Sequence, residues 1–235
     1  MDIKHVTALD EKLTKWNDLM YSKYPTPYAG LAGIIAKARS KAIFKYANIK
    51  PESTVLEIGC EGGNLLINAP QARRLVGADI SKSALEDASK LFNNQNRNAE
   101  FILLDAQIPL PFQQGEFDII ICSEMLEHVH DPFAVLKNIY EISTNETKII
   151  VTVPLERLNL LIKRFFNSIG LLKHLLPDFS ENQCEWHLQF FSKRRLLNLC
   201  KNMFFVEKNK VVFVNIFGAL LRREKKYQLK HYLTK

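Results

Sequence analysis

Two rhythms of apolar and polar residues take turns along this chain. Short runs rich in Val, Ile and Leu, at 54–58, 75–80, 100–104, 117–122 and 148–153, have the length and composition of buried strands. Between them, residues 63–68, 82–93 and 132–142 carry apolar side chains every three or four positions, the spacing of helices with one face turned inward. Strands alternating with helices predict an α/β fold, a parallel sheet with helices on both faces. Ser81 is placed to cap the second of these helices, and Asp131 followed by Pro132 reads as the cap and first turn of the third. Upstream, 31–47 predicts a helix within an N-terminal helical cap spanning 1–50, and the aromatic, proline-rich stretch 21–28 predicts a cover over the strand ends. Downstream, a helix over 193–202 and strands over 204–214 and 218–223 complete the pattern.

The segment after the fifth strand breaks the rhythm. Leu158, Ile162, Phe165, Ile169, Leu172 and Leu176 form an apolar stripe among Arg157, Lys163, Arg164 and Lys173. This predicts a helical insertion over 155–191, acting as a lid. Its basic, leucine-rich part, 155–179, also has the composition of helices that lie in a membrane interface, so a peripheral membrane contact is a second expectation there.

Composition narrows the picture. The 235 residues, 47% of them hydrophobic, suffice for a single domain, 1–235, with a sizeable core. Four scattered cysteines without a C-x-x-C pair, and a beginning without a signal-like apolar run, predict a reducing, cytoplasmic setting. No apolar run approaches the roughly 18 residues a bilayer requires. Of the net charge of +7, five charges fall in the last fourteen residues, 222–235. The body is therefore close to neutral, the end reads as a solvated basic tail, and nucleic acid is a disfavoured partner.

The chemistry concentrates in VLEIGCEGGN, residues 55–64. In a doubly wound sheet the ligand lies at the carboxyl ends of the strands, and the first strand-to-helix turn meets it with its backbone. Gly59, Gly62 and Gly63 suit such a turn. Farther on, Asp79 ends the second strand with a carboxylate able to accept both hydroxyls of a ribose, and Ile80 offers a purine an apolar face. Asp105 and Ala106 end the third strand with an acceptor and an amide suited to an adenine edge. Each acid also has a plainer reading as a solvated strand-end residue. The glycines lack the G-x-G-x-x-G spacing that seats a pyrophosphate on a helix. Glu57, just ahead of Gly59, instead suits the amino group of a methionine-like tail.

These residues together resemble the class I S-adenosylmethionine-dependent methyltransferases, and in particular the small-molecule, ubiquinone-biosynthesis-like group. The family's first motif, acid-x-Gly-x-Gly-x-Gly, is matched by Glu57, Gly59 and Gly63, with Glu61 standing at the middle glycine. Asp79, Asp105 and the string FDIIICSEMLEHV at 117–129 match the following motifs. The resemblance implies a Rossmann-like, seven-stranded, mostly parallel sheet in the order 3-2-1-4-5-7-6 with the seventh strand antiparallel. It implies S-adenosyl-L-methionine as cofactor, contacted by Glu57, Gly59, Cys60, Glu61, Gly63, Asp79, Ile80, Asp105, Ala106 and Ser123. It also implies methyl transfer to a small acceptor, hydrophobic or membrane-derived, most readily at oxygen.

An oxygen acceptor must lose a proton, so a base is needed near the methyl group. His128 and His187 are the candidates. A metal held by Glu127, His128 and His130 is a competing arrangement, and the resemblance favours a metal-free site in which Glu127 and His128 orient the loop. Two further readings compete: a non-catalytic cofactor-binding subunit, and an RNA methyltransferase, which Cys122-Ser123-Glu124-Met125 does not support. At Glu61 the loop carries a cost on the order of 1 kcal/mol if that residue needs a positive φ, unless Gly62 takes the strained conformation instead.

Overall fold

A computed structural model describes residues 3–5, 10–23, 30–155, 187–212 and 216–223 of the chain. In order these form β1 (Ile3–His5), α1 (Glu11–Lys23), α2 (Gly30–Ala47), β2 (Thr54–Ile58), β3 (Arg74–Asp79), α3 (Lys82–Asn94) and β4 (Glu100–Leu103). Then come β5 (Ile119–Ser123), α4 (Pro132–Ile142), β6 (Lys148–Pro154), α5 (Lys193–Cys200), β7 (Phe204–Val212) and β8 (Ile216–Arg223). One sheet runs β1-β4-β3-β2-β5-β6-β8-β7, parallel from β1 to β6, with β8 antiparallel to both β6 and β7.

Seven of these strands stand in the expected order. The sheet has an eighth, β1, which pairs with β4 at the edge. Three residues are too few for a periodic signal. What fixes the strand is its setting: Ile3 packs against the core and Lys4 Nζ reaches Glu100 Oε2 at 2.8 Å. Another difference lies after the glycine loop, where a 3-10 turn at Leu66–Asn68 replaces the helix expected over 63–68. The expected insertion over 155–191, with its lid and membrane readings, falls largely on 156–186, and most of the basic tail on 224–235, both outside the described residues. Among the described residues, no helix is long and apolar enough to cross a membrane.

Strand alternation sorts side chains to two faces. Leu56, Ile58, Ile120, Cys122, Val151 and Val153 enter the core beneath α4 and α5. Val55, Ile119, Ile121 and Ile150 enter the core beneath α2 and α3. Ser81 caps α3 by accepting from the Ala84 amide at 3.1 Å, and Asp131 caps α4 by accepting from the Ala134 amide at 3.0 Å, both as the sequence predicts. Asp118 ties β5 to β2: its Oδ2 accepts from the Thr54 amide at 2.7 Å and from Thr54 Oγ1 at 2.9 Å.

At the opposite end of β3 from the pocket, Arg74 donates to Glu100 and to Glu116, each at 2.7 Å. Hydrogen bonds from Arg74 and Lys4 hold the Glu100 carboxyl down at about 2, against an ordinary value of 4.5. A depressed carboxyl stabilises the fold above its unfolded value and loses that contribution as pH falls through its folded value. Stability is therefore expected to decline between pH 4.5 and about 2. Urea midpoints measured across that range for wild type and Arg74→Met check this: the variant should show a shallower decline.

Candidate active site

Beyond the carboxyl ends of β2, β3, β4 and β5 lies a cavity, partly open to solvent, with about 790 Å³ of empty space when its open mouth is included. Its floor and walls come from Gly59 and Glu61 after β2, Asp79 to Ser81 after β3, and Asp105 to Gln107 after β4. Glu124, Met125, His128, Val129 and His130 after β5 complete that side. Its roof is α1, which turns Leu13, Trp16, Asn17 and Tyr21 toward it. Those positions lie one helical turn apart, a stripe the sequence carries.

The glycine loop is held by its own amides. The Gly59 and Cys60 amides both donate to the Ala78 carbonyl, at 2.8 and 3.1 Å, and the Gly63 amide donates to Cys60 at 2.8 Å. Gly59 has φ +75, and a Cβ there would stand 2.5 Å from Met125 Cγ. Glu61 itself takes the left-handed conformation, φ +45, and Gly62 does not. Gly62 leaves room for the Tyr21 hydroxyl, which a Cβ on it would meet at 2.7 Å and which would then have to shift.

Asp79 is the hub of the pocket. Its Oδ2 accepts from the Glu61 amide and its Oδ1 from the Ser81 amide, each at 2.9 Å. Burial pushes its carboxyl up and the two amides pull it back. Next to it, Asp18 of α1 accepts from Ser81 Oγ at 2.7 Å, from the Ser83 amide at 3.0 Å and from Ser83 Oγ at 2.9 Å. The roof is thus clasped to the start of α3 beside the pocket.

Glu57 does not line the cavity. Its parity on β2 turns it to the α2 face, where it is 3% exposed and its Oε2 has no hydrogen-bond partner among the described residues. Burial holds its carboxyl well above the ordinary range, opposed chiefly by the Arg39 guanidinium. Arg39 Nη1 stands 3.7 Å from Glu124 Oε2, and its buried Nε likewise lacks a partner among the described residues. Ser123 shares this face: its Oγ and Thr152 Oγ1 are 2.9 Å apart, and Thr152 donates on to Glu124 Oε1 at 2.9 Å. Glu57, Ser123, Thr152, Arg39 and Glu124 therefore make a polar layer beside the cavity.

Of the residues expected at the cofactor, Gly59, Glu61, Asp79, Ile80, Asp105 and Ala106 line the cavity. Glu57, Cys60, Gly63 and Ser123 do not. Cys60 is buried beside Gly77, and burial pushes its thiol well up. Gly63 faces Ala88 and Phe92. Both expected base residues come together: His128 lines the cavity and the His187 ring lies edge-on to it, centroids 4.9 Å apart. The segment carrying His187 is docked by Gln189, whose amide donates to the Glu127 carbonyl at 3.0 Å and whose side chain donates to the His130 carbonyl at 3.2 Å. Glu127, 1% exposed, brings Oε1 within 4.0 Å of His128 Nε2. Glu127, His128 and His187 offer ligand atoms all within 4.8 Å of one another.

The sequence and the fold match known proteins. A family model described as a methyltransferase domain matches residues 31–204. The chain belongs to the class I S-adenosylmethionine-dependent methyltransferases. Among curated members, a ubiquinone biosynthesis O-methyltransferase of Coxiella burnetii is 33% identical over 132 residues, 54% of this chain and 55% of that protein. One of Thiobacillus denitrificans is 36% identical over 83 residues, 35% of this chain and 36% of that protein. The chain thus spans about half, or less, of the length of the curated relatives it matches. An S-adenosylmethionine-dependent methyltransferase structure from Aquifex aeolicus superposes with a TM-score of 0.62 at 12% identity, covering 92% of this chain and all of that one. A Pyrococcus horikoshii structure reaches 0.65 at 19% identity, covering 88% and 99%.

The residues present fit the cofactor of this methyltransferase family. A carboxylate ends β3 where a ribose would need acceptors, Ile80, Leu104 and Ala106 supply apolar walls, and the buried Arg39 Nε, without a hydrogen-bond partner among the described residues, lies in the polar layer beside Glu124.

Proposed function

We propose that the protein transfers the methyl group of S-adenosylmethionine to an oxygen of a small, largely apolar acceptor. The observation that carries this reading is the His128 imidazole in the cavity wall, with the His187 ring packed edge-on against it and Glu127 beside it. The names of the curated relatives, O-methyltransferases, support oxygen as the acceptor atom.

When bound, the cofactor supplies an electrophilic methyl carbon on a sulfonium. Asp79 would hold its ribose, Ile80 and Ala106 the adenine faces, and Asp105 the adenine edge. Arg39 would pair with the carboxylate of the amino-acid tail, which would satisfy its orphaned Nε. Sequence reading does not find this residue, because only the packing of α2 brings it over Glu57 and Glu124.

On the acceptor side, the imidazole pair takes the hydroxyl proton. The buried Glu127 side chain stands beside His128 and would help to hold its ring in place. The α1 roof and the Met125 and Val129 walls exclude water from the transfer.

The test is a labelled-methyl assay on a panel of phenols and catechols. His187→Ala is expected to lower kcat at neutral pH by about a hundredfold or more, the usual worth of a positioned base, with the cofactor KM changed less than about threefold. Part of the loss should return at high pH, where a phenol ionises without help. Unchanged turnover would place the base elsewhere. Activity abolished by chelators and restored by a divalent cation would instead assign Glu127, His128 and His187 to a metal.

A further inference from the structure

We infer that Gln107 is a positioning residue for the cofactor: it locks the Asp105 carboxylate in the orientation that reads an adenine amino group, and so sets a preference for 6-amino over 6-oxo purines. This rests on the cofactor reading above and deepens it.

A carboxylate at a strand end can turn about its own axis, and an acceptor that turns discriminates poorly. Asp105 is held against such turning. Its Oδ1 accepts twice, from the Gln107 amide at 2.8 Å and from Gln107 Nε2 at 3.3 Å. Its Oδ2 accepts from none of the described residues, and Asp105 and Gln107 both line the cavity. With one oxygen occupied by the protein, the other is the acceptor offered to a ligand.

The direction in which the Gln107 amide points is fixed in turn. Its Oε1 accepts from the Asp131 amide at 3.0 Å. A backbone N–H only donates and an ionised carboxylate only accepts, so the oxygen end must face Asp131 and the NH₂ end must face Asp105. The reverse placement would set donor against donor at one end and acceptor against acceptor at the other. The backbone on either side is held as firmly. Buried Asn138 of α4 donates to the Ala106 carbonyl at 2.9 Å and to the Ile108 carbonyl at 2.7 Å. Helix α4 and its cap therefore brace the β4 loop on both flanks of Gln107.

The consequence for recognition follows from the purine edge. Adenine offers a 6-amino donor, which pairs with a fixed acceptor. Hypoxanthine offers a carbonyl at that position and a donor at N1, so it needs a carboxylate that can shift to reach N1. A locked Asp105 accepts the first and cannot follow the second. Without Gln107 the carboxylate gains the freedom to serve either.

Calorimetry on the full chain with S-adenosylhomocysteine and S-inosylhomocysteine, which differ only at this edge, tests the role. A hydrogen bond to a charged acceptor is worth about ten- to a hundredfold in binding, so the wild type should prefer the adenine ligand by at least about tenfold. Gln107→Leu is expected to cut that preference about three- to tenfold, with its urea midpoint confirming a folded protein. Gln107→Glu keeps an oxygen for the Asp131 amide and turns a second acceptor on Asp105, so it must cut the preference at least as far. In Asp105→Ala the preference should be gone, and adding Gln107→Leu to it should change neither affinity by more than about twofold. A wild type that binds both ligands equally, equal weakening of both by Gln107→Leu, or a preference kept intact in Gln107→Glu would overturn the role of Gln107 and leave the cofactor reading standing. Wild-type protein that binds neither ligand would overturn both.

Discussion

An alanine at Gly59 is expected to cost about 2–5 kcal/mol of stability and to weaken cofactor binding more than tenfold. The left-handed backbone alone accounts for about 1–2 kcal/mol, and forced overpacking adds about 1–3 kcal/mol. The crowding is specific: the new methyl would meet Met125 Cγ at 2.5 Å and Cβ at 2.8 Å. Met125 lines the cavity, so its simplest escape is into the volume the ligand needs. Gly63→Ala is the matched control, because it too has a φ of +75 but its methyl would meet Ala88 and Phe92 at 3.1 and 3.3 Å, away from the cavity. Urea midpoints and calorimetry on both variants check the prediction. Both should lose stability, and only Gly59→Ala should lose affinity out of proportion.

Asp79→Asn should have the largest effect on binding with a smaller effect on folding. The carboxylate accepts one amide on each oxygen, from Glu61 and from Ser81. An asparagine can accept on one side only and turns an NH₂ donor toward the other amide. That frees the Glu61 end of the loop and removes one charge-assisted acceptor from the ribose site, each worth about 1.5–3 kcal/mol. A loss of about a hundredfold or more in S-adenosylmethionine affinity is expected, measured by calorimetry. The offset is burial: the carboxyl is pushed up in the folded protein, so neutralising it relieves a desolvation cost and stability falls less than the lost hydrogen bonds suggest.

The sheet was legible because its strands are buried on both faces and therefore read as continuous apolar runs, and because caps such as Ser81 and Asp131 mark helix starts. The loop and strand-end acids were legible because their positions follow from topology: whatever ends β2, β3 and β4 must face the cavity. The polar layer on the α2 face was not. Glu57 and Ser123 read as cofactor contacts; strand parity turns both to the α2 face, and Arg39, which pairs with Glu124 there, is separated from it by eighty-five positions of sequence. Pairings of that kind carry no local signature. The eighth strand escaped for a simpler reason, because three residues cannot establish a period.

The clasp between Asp18 and the start of α3 carries a consequence for how this protein can diversify. The family match begins at residue 31, whereas the roof that closes the cavity is α1, residues Glu11–Lys23. The shared architecture thus supplies the receptacle, and a segment outside it supplies the closure. Leu13, Trp16, Asn17 and Tyr21 reach the cavity from that segment and not from the sheet, and Asp18 moors the helix that carries them. The N-terminal helix is therefore the place where a library aimed at new acceptors should begin, and Trp16, in the cavity wall, would report each occupant by its own fluorescence.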